Sequence, residues 1–111
     1  MDQVKTGHIR ILRKRVGEPA EEAFVLNELH ALQKEVGGHI EVVQIAKDLA
    51  VICDEEWLLK GKRYNCDIGS VDFGGTILLV GVSGEEFTGC PLTPEQARRF
   101  WPQLMEVSSD G

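Results

Sequence analysis

Near its start the chain alternates, imperfectly, between apolar and basic positions. From His8 to Val16, Ile9, Ile11 and Val16 are interleaved with Arg10, Arg13, Lys14 and Arg15. This near-period of two predicts a strand over 8–16 with one solvated face. Gly17-Glu18-Pro19 supplies a turn, since Gly tolerates positive φ and Pro presets its own. Ala23-Phe24-Val25-Leu26 then predicts a second strand over 23–26, positioned to pair with the first. A helix opening at Pro19 is the alternative, but Asn27 suits the N-cap of the next element and favours the strand. From there the period lengthens. Leu29, Leu32 and Val36 fall at i, i+3 and i+7, one stripe of a helix over 28–36. Gly37-Gly38 ends it, with Gly37 where a left-handed backbone costs least.

Two β-branched runs follow, Ile40 to Ile45 and Leu49 to Cys53, and the three residues between them force a hairpin of strands 40–45 and 49–53. The stretch 54–75 has few apolar residues and reads as a long loop. In a small domain such a loop is either functional or conceals short elements. Thr76 to Val82 is almost continuously apolar and predicts a central strand over 76–82, covered on both faces. Phe87 marks a brief edge strand. Leu92-Thr93-Pro94-Glu95-Gln96 announces a helix over 94–104, with Thr93 as N-cap, Pro94 at the first position and Gln96 as reciprocal partner. Ala97, Phe100, Trp101 and Leu104 form its apolar face, and Pro102 kinks or ends it near Trp101. The tail over 108–111 is expected to fray. These elements make a single α+β domain, a mostly antiparallel sheet of about five strands with two helices.

Charge and composition narrow the function more than the fold. Twelve Lys and Arg against eighteen Asp and Glu give a net charge of −6, the wrong sign for a protein that replaces counterions on nucleic acid. Direct DNA binding is therefore not expected. The longest apolar run, Ile77 to Val80, is far short of the roughly 20 residues of a membrane span. Met1 to Arg15 mixes cations with isolated apolar residues and lacks the core of a leader. Cys53, Cys66 and Cys90 are an odd number at wide spacings, which fits reduced thiols in a cytoplasm.

Several segments, taken in order, resemble one family. Leu29 to Glu41 is similar to a pattern LxxLQxxVGGxIE, and Ile52-Cys53-Asp54-Glu55-Glu56 to ICNEE with Asp54 in place of Asn. Gly61 and Asn65 resemble GxxxN, Gly75-Thr76 with Val80-Gly81 resembles GTxxxVG, and Leu92 to Gln96 resembles LTxEQ. The family comprises small proteins of bacteriophages, plasmids and conjugative elements and is catalogued only as a domain of unknown function. The resemblance implies a mobile-element accessory protein in a bacterial cytoplasm and assigns no catalytic residue. Where the family carries LPxN, this chain has Lys62-Arg63-Tyr64-Asn65, so that loop need not share the family's shape.

Four groupings bear on chemistry. Lys62, Arg63, Tyr64 and Asn65 gather two cations, an aromatic ring and an amide within an otherwise acidic stretch. Tyr64 could stack a base while Lys62 or Arg63 holds a phosphate, so these four are the candidate ligand-binding residues. Glu41, Asp54 and Glu55, with Glu56, are the alternative acidic site, able in principle to bind a divalent cation or run acid–base chemistry. The cysteines and His39 lack the spacings of a zinc site, and neither metal nor cofactor is expected. Trp57 and Trp101 are core or interface residues. Asp72-Phe73-Gly74 echoes a kinase tripeptide, but the chain is too short for a kinase and has no phosphate-binding glycine loop before it.

With no nucleophile, metal set or cofactor fingerprint, the expected function is recognition. The protein is read as a non-enzymatic binding protein of a phage or mobile element that interferes with host antiviral defence. Its partner would be a host protein or a sequestered nucleotide-like signal, and an exposed edge strand or a Trp101 patch would permit a homodimer. The competing reading is a small carboxylate- or metal-dependent hydrolase.

Overall fold

The computed structural model describes residues 7–107. The tail expected to fray, 108–111, and the first six residues lie outside them. The first strand, β1 (His8–Lys14), pairs antiparallel with β2 (Glu21–Leu26) in a register that sets Ile11 opposite Ala23. Helix α1 (Leu29–Val36) follows, then the hairpin of β3 (Ile40–Ala46) and β4 (Leu49–Asp54). β7 (Ile77–Ser83) pairs with β4 along one side. Along its other side it pairs with β1 at Ile77 to Leu79 and with the short β8 (Glu86–Thr88) at Gly81 to Ser83. The sheet thus runs β2-β1-β7-β4-β3, with β8 continuing the β1 side. The expected mostly antiparallel sheet with two helices is what the chain forms.

Local chemistry explains the ends of the elements. α1 stops at Gly37, whose φ of 83° is left-handed and whose N–H donates to the Gln33 carbonyl. Helix α2 (Pro94–Phe100) opens on the full capping box: the Thr93 hydroxyl accepts from the Gln96 N–H, and the Gln96 side chain accepts from the Thr93 N–H. Asn27, expected as the N-cap of α1, does not serve there. Glu28 holds that position without a side-chain bond, and Asn27 instead donates through Nδ2 to the Phe87 carbonyl, tying α1's entry to β8.

Three expectations require correction. The helix expected over 94–104 ends at Phe100 and resumes as a 3-10 turn over Pro102–Met105, because Pro102 has no N–H to continue the ladder. The stretch 54–75, read as loop, contains a second sheet, the hairpin of β5 (Tyr64–Ile68) and β6 (Val71–Gly74). It turns through Gly69 and Ser70, both at positive φ (59° and 73°), the backbone of a tight hairpin. β1 does not keep a simple solvated face: it lies between β2 and β7, and Ile11, Leu12 and Lys14 are all buried.

The sheet is covered on both sides. α1 lays Leu32 and Val36 against Ile11, Ile52, Leu78 and Val80 on one face. On the opposite face the β5–β6 hairpin, α2 and the 3-10 turn bring Cys66, Ile68, Phe73, Ala97 and Leu104 onto Leu12, Val51, Ile77 and Leu79. β4 is buried along its whole length, as a strand packed on both faces must be. No helix among the described residues is long and apolar enough to cross a membrane.

Candidate functional site

The Lys62 to Asn65 tetrad divides between two places. Lys62 turns toward Asp54, the last residue of β4, whose side chain is fully buried. The Oδ2 of Asp54 accepts from Lys60 Nζ and Lys62 Nζ, each at 2.8 Å, and Oδ1 accepts from the Glu56 N–H at 2.9 Å. The same lysines reach the open end of α1, Lys62 donating to the Val36 carbonyl (2.7 Å) and Lys60 to that of Gly37 (3.0 Å). Cations at a helix C-terminus satisfy orphan carbonyls and favour the dipole. Burial raises the carboxyl pKa of Asp54. The bonds from Lys60, Lys62 and the Glu56 amide outweigh this and hold it well below the usual carboxylate range. Lys62 is therefore part of a clasp between α1 and the β4–β5 connection.

Arg63, Tyr64 and Asn65 face the other way, into a cleft of about 250 Å³. Its walls are the end of β1 with the following turn (Lys14, Val16, Gly17), the start of β5, and Glu106 with Val107 after the 3-10 turn. The β5–β6 ladder slips register between Tyr64 and Cys66, a bulge that turns Asn65 toward β1. The Asn65 amide donates to the carbonyls of Lys14 (2.9 Å) and Gly75 (2.8 Å), and its Oδ1 accepts from Lys14 Nζ at 2.7 Å.

Lys14 is the residue that pattern reading missed. It is 2% exposed, yet among the described residues no carboxylate lies within 4.0 Å of its ammonium. Among the described residues one of its three donors is used. Burial lowers its pKa, partly offset by Cys66, Glu106 and Glu18 at longer range. A signal for it was present, since Lys14 shares the phase of buried Leu12, two residues earlier on the same face. At the rim, Arg63 is exposed; its carbonyl accepts from the Gly75 N–H at 2.8 Å, and its guanidinium makes no bond to any described residue. Tyr64 is 53% exposed with its hydroxyl 3.4 Å from Asp67. Desolvation, with the carboxylates of Asp67 and Asp72, pushes that phenol up, so it remains a neutral donor and an uncharged stacking face.

The remaining candidates are more dispersed. Of the acidic set, Asp54 is committed to its lysines, while Glu41 on β3 and Glu55 after β4 are exposed. Among the described residues no three His, Cys, Asp or Glu side chains are arranged to hold a metal ion. Cys53, Cys66 and Cys90 are free and buried. Burial, aided by Glu41 and Asp54, raises Cys53 to about 11, and burial likewise raises Cys66 to about 11 despite Lys14. Thiols so shifted are poor nucleophiles near neutral pH. Trp57 and Trp101 both pack against the hairpin-side core. Trp101 also lines a second, largely apolar hollow with Ala46, Leu49, Leu92 and the exposed Phe100.

Comparison with known proteins adds one finding. A family described as Domain of unknown function (DUF3846) matches residues 9–105, which span every described element except the first residue of β1. No curated protein and no solved structure matches.

Proposed function

The chain belongs to the DUF3846 family, whose description prescribes no reaction, and we propose that it is a non-catalytic binding protein whose cleft takes a small nucleotide-like anion. The observation that carries this reading is Lys14: a buried residue whose ammonium has no carboxylate partner among the described residues, in the wall of a cleft whose rim holds the Arg63 guanidinium, unbonded among those residues, and an exposed ring. Burying a charge without its counterion is costly, and a phosphate at Lys14 would relieve that cost. Arg63 would add a bidentate contact to the same phosphate, and Tyr64 a stacking surface for the attached base. Glu106, on the same rim, is better suited to accept from a sugar hydroxyl than to face a second phosphate. The ligand class is therefore a nucleoside monophosphate or a cyclic relative of one.

In this reading the protein belongs to a phage or other mobile element and acts in the cytoplasm of a bacterial host. It sequesters a nucleotide-like signal and so interferes with antiviral defence. The hydrolase alternative has less support, because the one buried carboxylate of its acidic set already accepts three hydrogen bonds.

The test is direct. Protein purified without added nucleotide is denatured, and the supernatant is analysed by mass spectrometry; the stripped and refolded protein is titrated with AMP by calorimetry. A released nucleotide-like compound or saturable AMP binding is expected. Arg63→Ala combined with Tyr64→Ala, both exposed positions, should abolish it while leaving the unfolding temperature in place. No released compound together with no heat from AMP overturns the reading, and a host protein co-purifying in equal amount would move recognition to the outer surface.

A further inference from the structure

The outer face of the β5–β6 hairpin carries two carboxylates that the fold does not neutralise. Asp67 on β5 stands directly opposite Asp72 on β6, both exposed, while the neighbouring pair Cys66 and Phe73 is buried. Like charges set opposite one another across a ladder cost stability. Among the described residues neither carboxylate has a cation within 4.0 Å. Asp67 is held in place all the same. Its carbonyl accepts from Gln103 Nε2 at 2.7 Å, and its Oδ1 lies 3.4 Å from the Tyr64 hydroxyl. The acidic pair therefore sits at the hydroxyl end of the ring that stands at the rim of the cleft. The cations are at the other end of that ring. Arg63 precedes Tyr64 in the chain, and Lys14 Nζ is held by Asn65, which follows it.

Resting on the nucleotide reading of the cleft, we propose that its ligand is a guanine nucleotide and that Asp67 is the residue that selects the base. A phosphate between Lys14 and Arg63 starts the ligand at the backbone end of Tyr64. A base stacked on the ring is then led toward the hydroxyl. The edge of a purine farthest from its sugar is the Watson–Crick edge, so that edge meets Asp67. A carboxylate accepts hydrogen bonds and donates none. Guanine offers it two adjacent donors, N1–H and the 2-amino group, in the parallel arrangement that a carboxylate takes from a guanidinium. Adenine offers one donor, its 6-amino group, beside an N1 lone pair that the carboxylate repels. Cytosine has the same fault, and uracil has a single N–H. Asp72, across the ladder, deepens the negative potential at this end: desolvation first, and then Asp67 and Asp72, push the Tyr64 phenol up. The same potential repels a second phosphate, which sets the direction in which the ligand lies.

Calorimetric titration of the full chain, stripped of any bound compound, with GMP, IMP and AMP tests this. GMP is expected to bind roughly tenfold more tightly than AMP, within the range of a bidentate base contact. IMP, which keeps N1–H and lacks the 2-amino group, should fall between them. Asp67→Asn supplies an acceptor for the 6-amino group of adenine and a donor for its N1, so it should turn the preference toward AMP. Because that substitution also removes one of two facing charges, the unfolding temperature should not fall. Arg63→Ala should weaken all of these nucleotides and leave their order unchanged. AMP binding as tightly as GMP, or an order that Asp67→Asn leaves untouched, overturns the guanine assignment while the nucleotide cleft stands. No heat from any of them overturns both.

Discussion

Replacing Asp54 with Ala leaves the Lys60 and Lys62 ammonium groups without their anion at the end of α1. Breaking a buried ion pair from one side costs about 3–5 kcal/mol when both partners are enclosed. The two lysines are 37% and 26% exposed, so a smaller loss of about 2 kcal/mol is expected in urea unfolding. The clasp also fixes the sign of one pH dependence. Because the folded carboxyl lies below its ordinary range, the unfolded chain takes up the proton first on acidification. The stabilisation is complete above that range and is lost as pH falls through it toward the folded value. Asp54→Asn should flatten that part of the acid limb. Lys14 has the same sense in a more alkaline window: with its folded pKa lowered, the unfolded chain holds more protons between the two values, so the buried ammonium opposes folding below that window and stability rises with pH through it. The cysteines give a simpler check. A disulfide thiol reagent at neutral pH should label the native protein slowly and all three thiols at once after denaturation.

Among the elements, what could be read from the sequence followed how local the determining physics was. Gly37 and the Thr93–Gln96 box act within one turn of the chain, and both lie where the sequence places them. Thr93→Ala should cost about 1 kcal/mol in thermal unfolding, the usual value of an N-cap. The β5–β6 hairpin was hidden because its five-residue first strand buries only Cys66 and Ile68, too few to show a period; the Gly69-Ser70 turn was its one local sign. Asn27 offered a good cap but had a stronger use, since the fold brings the Phe87 carbonyl to its amide from 60 residues away. The candidate site was half legible for the same reason. Three members of the Lys62–Asn65 tetrad share a cleft, but Lys62 leaves it for an aspartate and a helix end that only the tertiary fold supplies. Lys14 was hidden by neighbours, since a run of basic residues resembles a solvated face until β2 and β7 enclose it.

At the level of the whole molecule, function and stability oppose one another at Lys14. Lys14→Met keeps the packing stem and removes a buried charge that lacks a counterion. The ligand-free protein should unfold at an equal or higher temperature, while the response to AMP disappears in the same thermal assay. An equal loss of stability and binding would instead make Lys14 a structural residue.

Gly74, at the end of β6, lies directly beneath the Trp57 ring, close enough that a Cβ there would overlap the indole. The indole cannot yield inward, because Phe73 and the rest of that core are closed behind it. A single methyl group on this short strand would therefore be transmitted outward through the tryptophan to Leu58 and Leu59. The turn would be lifted off its seat, and the shape of this outer surface would be set by a glycine buried beneath it.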